Sequence, residues 1–209
     1  PIEPEGRRLD GAGGTGGRGD GVHHPTHDDH GEEVEEARQG VGDEPHGLLG
    51  EVFMVQVNCY WNRDERYYNR GGWKGSLDLD GGTLFTQFSH FIDVIYYLLG
   101  DMQILHAQMA NVSHKGMIEF EDTGIVSFLL KDSHAPGVLH YTTSAFQKNM
   151  EGSITIFAEN ATIKIGGKYL NTIDYQSTSG FDITDLPAGA ASNNYGDYEG
   201  SMSNHDKVI

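Results

Sequence analysis

Residues Asp80-Gly-Gly-Thr-Leu-Phe-Thr-Gln-Phe-Ser-His-Phe-Ile-Asp93 decide how this chain folds. Two glycines interrupt the chain after Asp80, and the spacing that follows predicts a single helix over 84–99, ended by Gly100. Its apolar stripe consists of residues three or four positions apart: Leu84, Phe88, Phe91, Ile95 and Leu98.

The opposite side of that helix carries polar groups. Thr86 and His90 are four residues apart and are therefore predicted to share a face, with Gln87 one turn before His90. A hydroxyl, an amide and an imidazole are thus expected together near the start of a helix that is anchored in a core. Such a group suits the binding of a polyhydroxylated ligand and the removal of a proton from it.

The composition excludes several classes of protein. The chain has 209 residues and a formal net charge of −17, which argues against a nucleic-acid partner, because such partners require clustered Lys and Arg. No apolar run approaches the roughly 20 residues of a membrane-spanning helix, and the first residues lack the form of a signal peptide. One cysteine, Cys59, fits a reducing cytoplasm and is expected to be buried and inert.

Residues 1–46 differ from the rest of the chain. They contain no Lys, Phe, Tyr, Trp or Cys and are rich in Gly, His and acidic residues, which predicts a low-complexity, disordered segment. Gly11, Gly13 and Gly16 fit the glycine pattern of a dinucleotide loop, but no strand precedes them and no apolar helix follows. The histidines of 23–30 leave open a weaker alternative, storage of a divalent metal, and no metal site is assigned.

The change of residue usage near Gly47 has a second interpretation. A coding sequence read out of frame before that point would produce the same discontinuity, and the DNA upstream tests this hypothesis. An in-frame dinucleotide-binding segment, restored by correcting one base, would support it. Reading frames without a patterned, amphipathic polypeptide would contradict it.

Residues 47–209 form the second predicted domain. The alternation in 51–61 predicts a strand with these residues on its core side: Phe53, Val55, Val57, Cys59 and Trp61. Further strands are predicted over 103–112, 123–130, 138–146, 153–158, 162–165 and 169–176. Short strands with close turns predict an α+β fold, in which a helix covers one face of an open, mostly antiparallel sheet. Residues 181–198 are predicted to be a loop, and 200–206 the start of a last helix that the chain end truncates.

With these elements placed, residues 47–209 resemble the C-terminal domain of the Gfo/Idh/MocA oxidoreductases, the relatives of glucose–fructose oxidoreductase and inositol dehydrogenase. Gly47-Leu-Leu-Gly-Glu-Val-Phe53 is similar to the family's entry into the first strand of this domain. Trp73-Lys-Gly75, followed by Asp80-Gly-Gly82, is similar to the lead into its active-site helix. His90-Phe-Ile-Asp93, continued by Tyr97-Leu-Leu-Gly100, matches the family signature.

Thr86-Gln-Phe-Ser-His90 and Gly200-Ser-Met-Ser-Asn-His-Asp-Lys207 are most similar to one branch of that family. Its members are bacterial dehydrogenases that oxidise the 3-hydroxyl of UDP-N-acetylglucosaminuronic acid in the synthesis of lipopolysaccharide O-antigen sugars. The resemblance implies NAD as the oxidant, a homo-oligomer (a tetramer) formed through the open sheet face, and His90 in the catalytic pocket. Thr86 stands where many members have Asp or Asn, which weakens the transfer of an acid role to it.

Oxidation of a secondary alcohol by NAD removes a hydride from carbon and a proton from oxygen. An imidazole has a reference pKa of roughly 6.5 and accepts such a proton near neutrality, so His90 is the candidate catalytic base or proton relay. The alternative for His90 is a structural helix histidine paired with Asp93. Seven residues are candidate ligands of a UDP-sugar: Thr86, Gln87, Arg63, Tyr68, Trp73, Lys74 and Asn204.

These candidate ligands divide by chemistry. Arg63 and Lys74 would neutralise a uronate or a diphosphate, and the aromatic rings would stack on the sugar or the uracil. For each residue a structural interpretation stays open: a solvated surface charge, a helix cap or a packed loop anchor.

Two functions remain open at this point. The family's dinucleotide-binding domain, roughly 120 residues long, has no counterpart in residues 1–46, so this chain alone is expected to be inactive and to bind no NAD. In the first interpretation the chain is the substrate half of an NAD-dependent sugar dehydrogenase. In the second it is a non-catalytic sheet domain that mediates self-association.

Overall fold

Seven segments between residues 52 and 178 form one sheet, and β-type alternation of burial is clearest in residues 123–130 and 136–142. The computed structural model describes residues 44–68, 72–183, 192–194 and 199–202. The strands of this sheet are β1 (Val52–Tyr60), β2 (Met102–Ala110), β3 (Thr123–Leu130), β4 (Pro136–Thr142), β5 (Glu151–Ala158), β6 (Ala161–Gly166) and β7 (Thr172–Thr178). Two further strands, β8 (Ser192–Asn194) and β9 (Glu199–Met202), pair with each other.

The order of strands across the sheet is β2-β3-β4-β1-β5-β6-β7. Strands β1 and β4 are parallel, and every other neighbouring pair in this sheet is antiparallel. The predicted α+β fold with an open, mostly antiparallel sheet is confirmed. The predicted strand 123–130 coincides with β3, whereas the strand predicted over 138–146 lies at Pro136–Thr142.

Among the described residues the helices are α1 (Glu44–Leu49), α2 (Glu65–Tyr68), α3 (Leu77–Asp80), α4 (Thr83–Thr86) and α5 (Ser89–Leu99). Helix α5 buries Phe91, Ile95 and Leu99 in the same apolar core as Val55 and Val57 of β1. Full burial of each such side chain contributes about 1.5–3 kcal/mol, so this helix is firmly anchored on one face of the sheet. The opposite face, called here the open face, carries partly exposed apolar residues such as Ile125 and Tyr175.

The prediction of one continuous helix over 84–99 is wrong, because the chain breaks at Phe88 between α4 and α5. The Phe88 N–H donates to the carbonyl of Thr83, five residues earlier, at 3.2 Å. Phe88 is fully buried, and its ring lies 5.2 Å from that of Trp61 and 5.8 Å from that of Tyr141. The packing of this ring in the core is therefore favoured over a continuous helix at this position.

This break changes the predicted site. Because Thr86 ends α4 and His90 belongs to α5, the two residues do not share a helix face, and that prediction is wrong. The Thr86 hydroxyl instead donates to the carboxylate and to the carbonyl of Asp80.

Two smaller predictions on the core are also corrected. Phe53 is 53% exposed, because the register of β1 against β5 shifts between Val52 and Met54 and turns Phe53 away from the core. At the end of α5 the fully buried residue is Leu99, while Leu98 only packs against the core in part.

The last helix predicted at 200–206 is not formed over its first residues, since Glu199–Met202 is a strand paired with Ser192–Asn194. Residues 203–209 and 1–43 lie outside the described residues, and so do the predictions of disorder, an out-of-frame segment and metal storage that fall there. Helix α1 crosses the boundary predicted between residues 46 and 47. Within the described part of the chain, no helix is long and apolar enough to cross a membrane.

Candidate active site

His90 lies in the first turn of α5, and its side chain is accessible to solvent. One side of the imidazole stacks on the indole of Trp61, with ring centroids 5.6 Å apart and planes 30° apart. The ring centroid of Phe91 lies 4.9 Å from that of His90. The imidazole is therefore covered in part by these two rings and remains in part exposed to solvent.

The environment of His90 favours its neutral form. Partial burial of the ring lowers the pKa of His90 first, and the positive charge of Arg63 lowers it further. The carboxylate of Asp93 opposes this by raising the pKa. Because the net shift is downward from a value of roughly 6.5, the imidazole carries a lone pair at neutral pH and can accept a proton.

Trp61 is the residue that connects this imidazole to the core. It follows strand β1 directly, is 3% exposed, and contacts the rings of Phe88, Phe91 and Tyr169. Its indole N–H donates to the carbonyl of Lys168 at 3.1 Å. These contacts fix the plane of the indole, so the surface on which His90 stacks is rigid.

A buried polar network also contacts Trp61. Arg63 is 3% exposed, and its guanidinium carbon lies 5.1 Å from the ring centroid of Trp61 and 5.3 Å from that of Tyr67. Its Nε donates to the amide oxygen of Gln87 at 2.8 Å, and the Gln87 amide nitrogen donates to the Tyr67 hydroxyl at 2.7 Å. Gln87 therefore links a cation to a phenol inside the protein.

The loop between β4 and β5 closes this network. The amide oxygen of Asn149 accepts from Nη1 of Arg63 at 3.2 Å and from the backbone N–H of Asn62 at 2.8 Å. Its amide nitrogen donates to the hydroxyl of Tyr169 at 2.9 Å. The loop is further tied to the end of β1, because the backbone N–H of Ala145 donates to the carbonyl of Trp61.

The other predicted ligands lie in different surroundings. Lys74 places its ammonium nitrogen 3.9 Å from the ring centroid of Tyr67, at the edge of the buried network. Trp73 beside it is 45% exposed. Tyr68 is 6% exposed and packs against Tyr67 and His114, so its predicted contact with a substrate has no support from this geometry. The remaining candidate ligand, Asn204, lies outside the described residues.

Sequence reasoning missed Trp61 and Asn149 as parts of this site. The alternation of β1 predicted Trp61 as a core residue, and this is confirmed. Nothing in the neighbouring sequence indicated that the His90 imidazole would stack on its ring. Asn149 lies in a polar loop without a recognisable pattern, and only the fold brings it to Arg63, 86 positions earlier in the chain.

The glycine pair Gly81–Gly82 does not have the arrangement of a dinucleotide cradle. Such a cradle needs a glycine-rich turn between a strand and a helix, with the helix N-terminus facing the pyrophosphate. Here Gly81 and Gly82 lie between two helices of four residues each, α3 and α4. Nor does any group of three or more His, Cys, Asp or Glu among the described residues have the arrangement of a metal site.

Comparison with known proteins places this geometry in a family. A family model described as the GFO/IDH/MocA C-terminal domain matches residues 45–164. The WlbA dehydrogenase from Bordetella pertussis, solved in complex with NADH and UDP-GlcNAcA, is 32% identical over 73% of this chain and 43% of that chain, with a TM-score of 0.61. The WlbA dehydrogenase from Chromobacterium violaceum, in complex with the same two ligands, is 34% identical over 73% of this chain and 41% of that chain, with a TM-score of 0.61.

More distant comparisons add only the fold. A levoglucosan dehydrogenase in complex with NADH is 14% identical over 73% of this chain and 40% of that chain, with a TM-score of 0.55.

A comparison with curated proteins gives no match. The chain spans about two fifths of the length of the WlbA dehydrogenases. On the family model and on these identities, the chain belongs to the Gfo/Idh/MocA oxidoreductases, of which it carries the C-terminal domain.

Proposed function

We propose that this chain is the substrate half of an NAD-dependent oxidoreductase that oxidises a secondary hydroxyl of a UDP-sugar. The specific substrate proposed is UDP-N-acetylglucosaminuronic acid, oxidised at C3 during synthesis of lipopolysaccharide O-antigen sugars. The resemblance of Thr86–His90 to that branch supports this choice, as do the two WlbA dehydrogenases bound to UDP-GlcNAcA. A single buried cysteine, Cys59, supports the cytoplasm as its compartment.

One observation carries the proposal: the solvent-accessible imidazole of His90 lies on the rigid indole of Trp61 and has a lowered pKa. A neutral imidazole at that position accepts the proton of a sugar hydroxyl as the carbon loses its hydride. Trp61 holds the imidazole in place, and the buried charge of Arg63 disfavours protonation of His90 before the substrate arrives. In this proposal the described residues supply an acceptor for the proton, and NAD is the acceptor for the hydride.

Calorimetric titration of the full chain with UDP-GlcNAcA tests the substrate class. We expect saturable binding with a dissociation constant of about 1 mM or tighter, and weaker binding of UDP-GlcNAc, which lacks the carboxylate. His90→Asn should weaken UDP-GlcNAcA binding without unfolding the chain, because the His90 side chain is exposed. Equal affinity for both nucleotide sugars, or no heat with either, contradicts the proposed substrate.

A second titration, with NAD, tests whether this chain works alone. Because no strand is predicted before the glycine pattern of residues 1–46 and no apolar helix after it, we expect no binding of NAD and no reduction of NAD in the presence of UDP-GlcNAcA. A micromolar dissociation constant for NAD would overturn this expectation.

The alternative function, self-association through the open face of the sheet, is favoured by the apolar residues there. Met54, Ile125 and Tyr175 are 39%, 49% and 55% exposed on that face. In the proposed enzyme the same face joins the subunits of a tetramer, so self-association alone does not separate the two functions. Ile125→Lys should shift sedimentation toward the monomer, whereas Leu79→Lys, a control at an exposed helical residue, should not.

A further inference from the structure

The Arg63 guanidinium has two aromatic contacts and three hydrogen-bond partners among the described residues. Its carbon lies over the rings of Trp61 and Tyr67, and its N–H groups donate to Gln87, Asn149 and the backbone carbonyl of Asn62. A planar guanidinium fixed by directional hydrogen bonds has little freedom to move, unlike a lysine ammonium on a flexible stem. The position of this charge relative to Trp61 is therefore constant.

We propose that Arg63 is a positioning residue for His90: it fixes the Trp61 ring on which the imidazole stacks and keeps a permanent positive charge next to that ring. The inference rests on the proposed function for the role of His90 as a base. It assigns to Arg63 an action through Trp61, in place of the direct contact with a uronate or diphosphate that its charge first indicated.

Both groups contact the same ring, that of Trp61. The guanidinium carbon lies 5.1 Å from the centroid of the Trp61 ring, and the imidazole centroid lies 5.6 Å from it. A cation held near that indole polarises it and repels a proton arriving on the imidazole. The lowered pKa of His90, caused first by burial and then by Arg63, agrees with this arrangement.

Other charged groups near the imidazole act differently. Asp93, on the same helix as His90, raises the pKa of His90 and so opposes Arg63. The ammonium of Lys74 lies over Tyr67, and Lys168 meets Trp61 through its backbone carbonyl. Arg63 is the cation among the causes of the His90 shift, which makes it the group to vary.

The test is an NMR pH titration of the His90 ring protons in the full chain, without nucleotide. In Arg63→Met and Arg63→Gln we expect the pKa of His90 to rise, because the repelling charge is gone, and the ring-current shift from Trp61 to shrink. In Arg63→Lys, which keeps the charge but not the planar fork, the pKa should rise less while the ring-current shift still shrinks. Lys74→Met, the matched control, removes a neighbouring positive charge and should leave both readouts unchanged.

The outcomes separate this proposal from the proposed function, because the titration needs no substrate. An unchanged pKa of His90 in both neutral variants overturns the proposal, and so does an equal change in Lys74→Met. If circular dichroism shows that neither neutral variant folds, Arg63 is a structural anchor and the positioning role is refuted. Failure of UDP-GlcNAcA to bind would contradict the proposed substrate. It would not change the expected pKa values of His90, because those titrations contain no nucleotide.

Discussion

Replacement of Trp61 tests whether the core and the candidate site depend on one side chain. Trp61 is 3% exposed and packs against Phe88, Phe91 and Tyr169. Truncation of a buried aromatic residue to Ala typically destabilises by about 3–5 kcal/mol, and the dense packing here supports the upper half of that range. Trp61→Phe keeps an aromatic surface but loses the hydrogen bond to the carbonyl of Lys168, which costs about 0.5–1.5 kcal/mol. It also leaves a cavity, smaller than the one left by Trp61→Ala, which adds to the loss.

Urea unfolding followed by far-ultraviolet circular dichroism measures these free energies of unfolding. The midpoint should fall in the order wild type, Trp61→Phe, Trp61→Ala, with little change in the dependence on urea. A loss below about 1 kcal/mol for Trp61→Ala would refute the packing argument, because it would mean that the indole carries no share of the core.

The same variants report on His90. Partial burial is the first cause of its lowered pKa, so Trp61→Ala should raise the pKa of His90, while Trp61→Phe should change it less. An NMR titration of the His90 ring protons measures both. A pKa of His90 that stays at its wild-type value in Trp61→Ala would show that the indole does not shield the imidazole.

Three further predictions concern the fold. A Cβ at Gly137 would lie 2.2 Å from the ring of Phe128, so Gly137→Ala should destabilise the chain by about 1–3 kcal/mol. A Cβ at Gly47 would have no atom within 4 Å, so the control Gly47→Ala should not destabilise it. Thermal unfolding compares the two variants. Burial disfavours the ionised Asp122, but hydrogen bonds from backbone N–H groups and a histidine outweigh it and lower the pKa of Asp122. Asp122→Asn should destabilise by about 1–3 kcal/mol at neutral pH. The stabilisation from a depressed carboxyl pKa is complete only above the unfolded pKa and is lost as the pH falls toward the folded pKa, so this destabilisation should shrink progressively below about pH 4. Equal losses at every pH would contradict the prediction. Burial raises the pKa of Cys59, so alkylation of the native chain should proceed only at the rate of unfolding, and rapid labelling would disprove its burial.

The strands were predictable because their signal is local. In β3 every second residue is buried, and this alternation is visible in the sequence. The break at Phe88 was not predictable in that way, because it depends on the Trp61 and Tyr141 rings, which distant strands bring to it. The apolar spacing alone fits a continuous helix as well as the broken one.

The site was predictable in its residue types and not in its contacts. His90 followed from a family motif, and the structure leaves it accessible. Gln87 and Arg63 were both assigned to the substrate, yet they bond to each other across 24 positions of the chain. Gln87 also donates to Tyr67, 20 positions away, so its amide supports the site from inside. Such pairings follow from side-chain directions in the folded chain, which residue spacing does not contain.

The most direct test of the central claim is the NMR spectrum of the histidine rings while the full chain is titrated with UDP-GlcNAcA. The proposed alcohol-to-imidazole contact predicts a saturable shift of the His90 ring protons, with His106 and His140 on the sheet strands β2 and β4 unchanged. If the nucleotide sugar binds and the His90 signals stay fixed, or move no more than those of His106 and His140, the substrate does not meet this imidazole and the dehydrogenase assignment of the site is wrong.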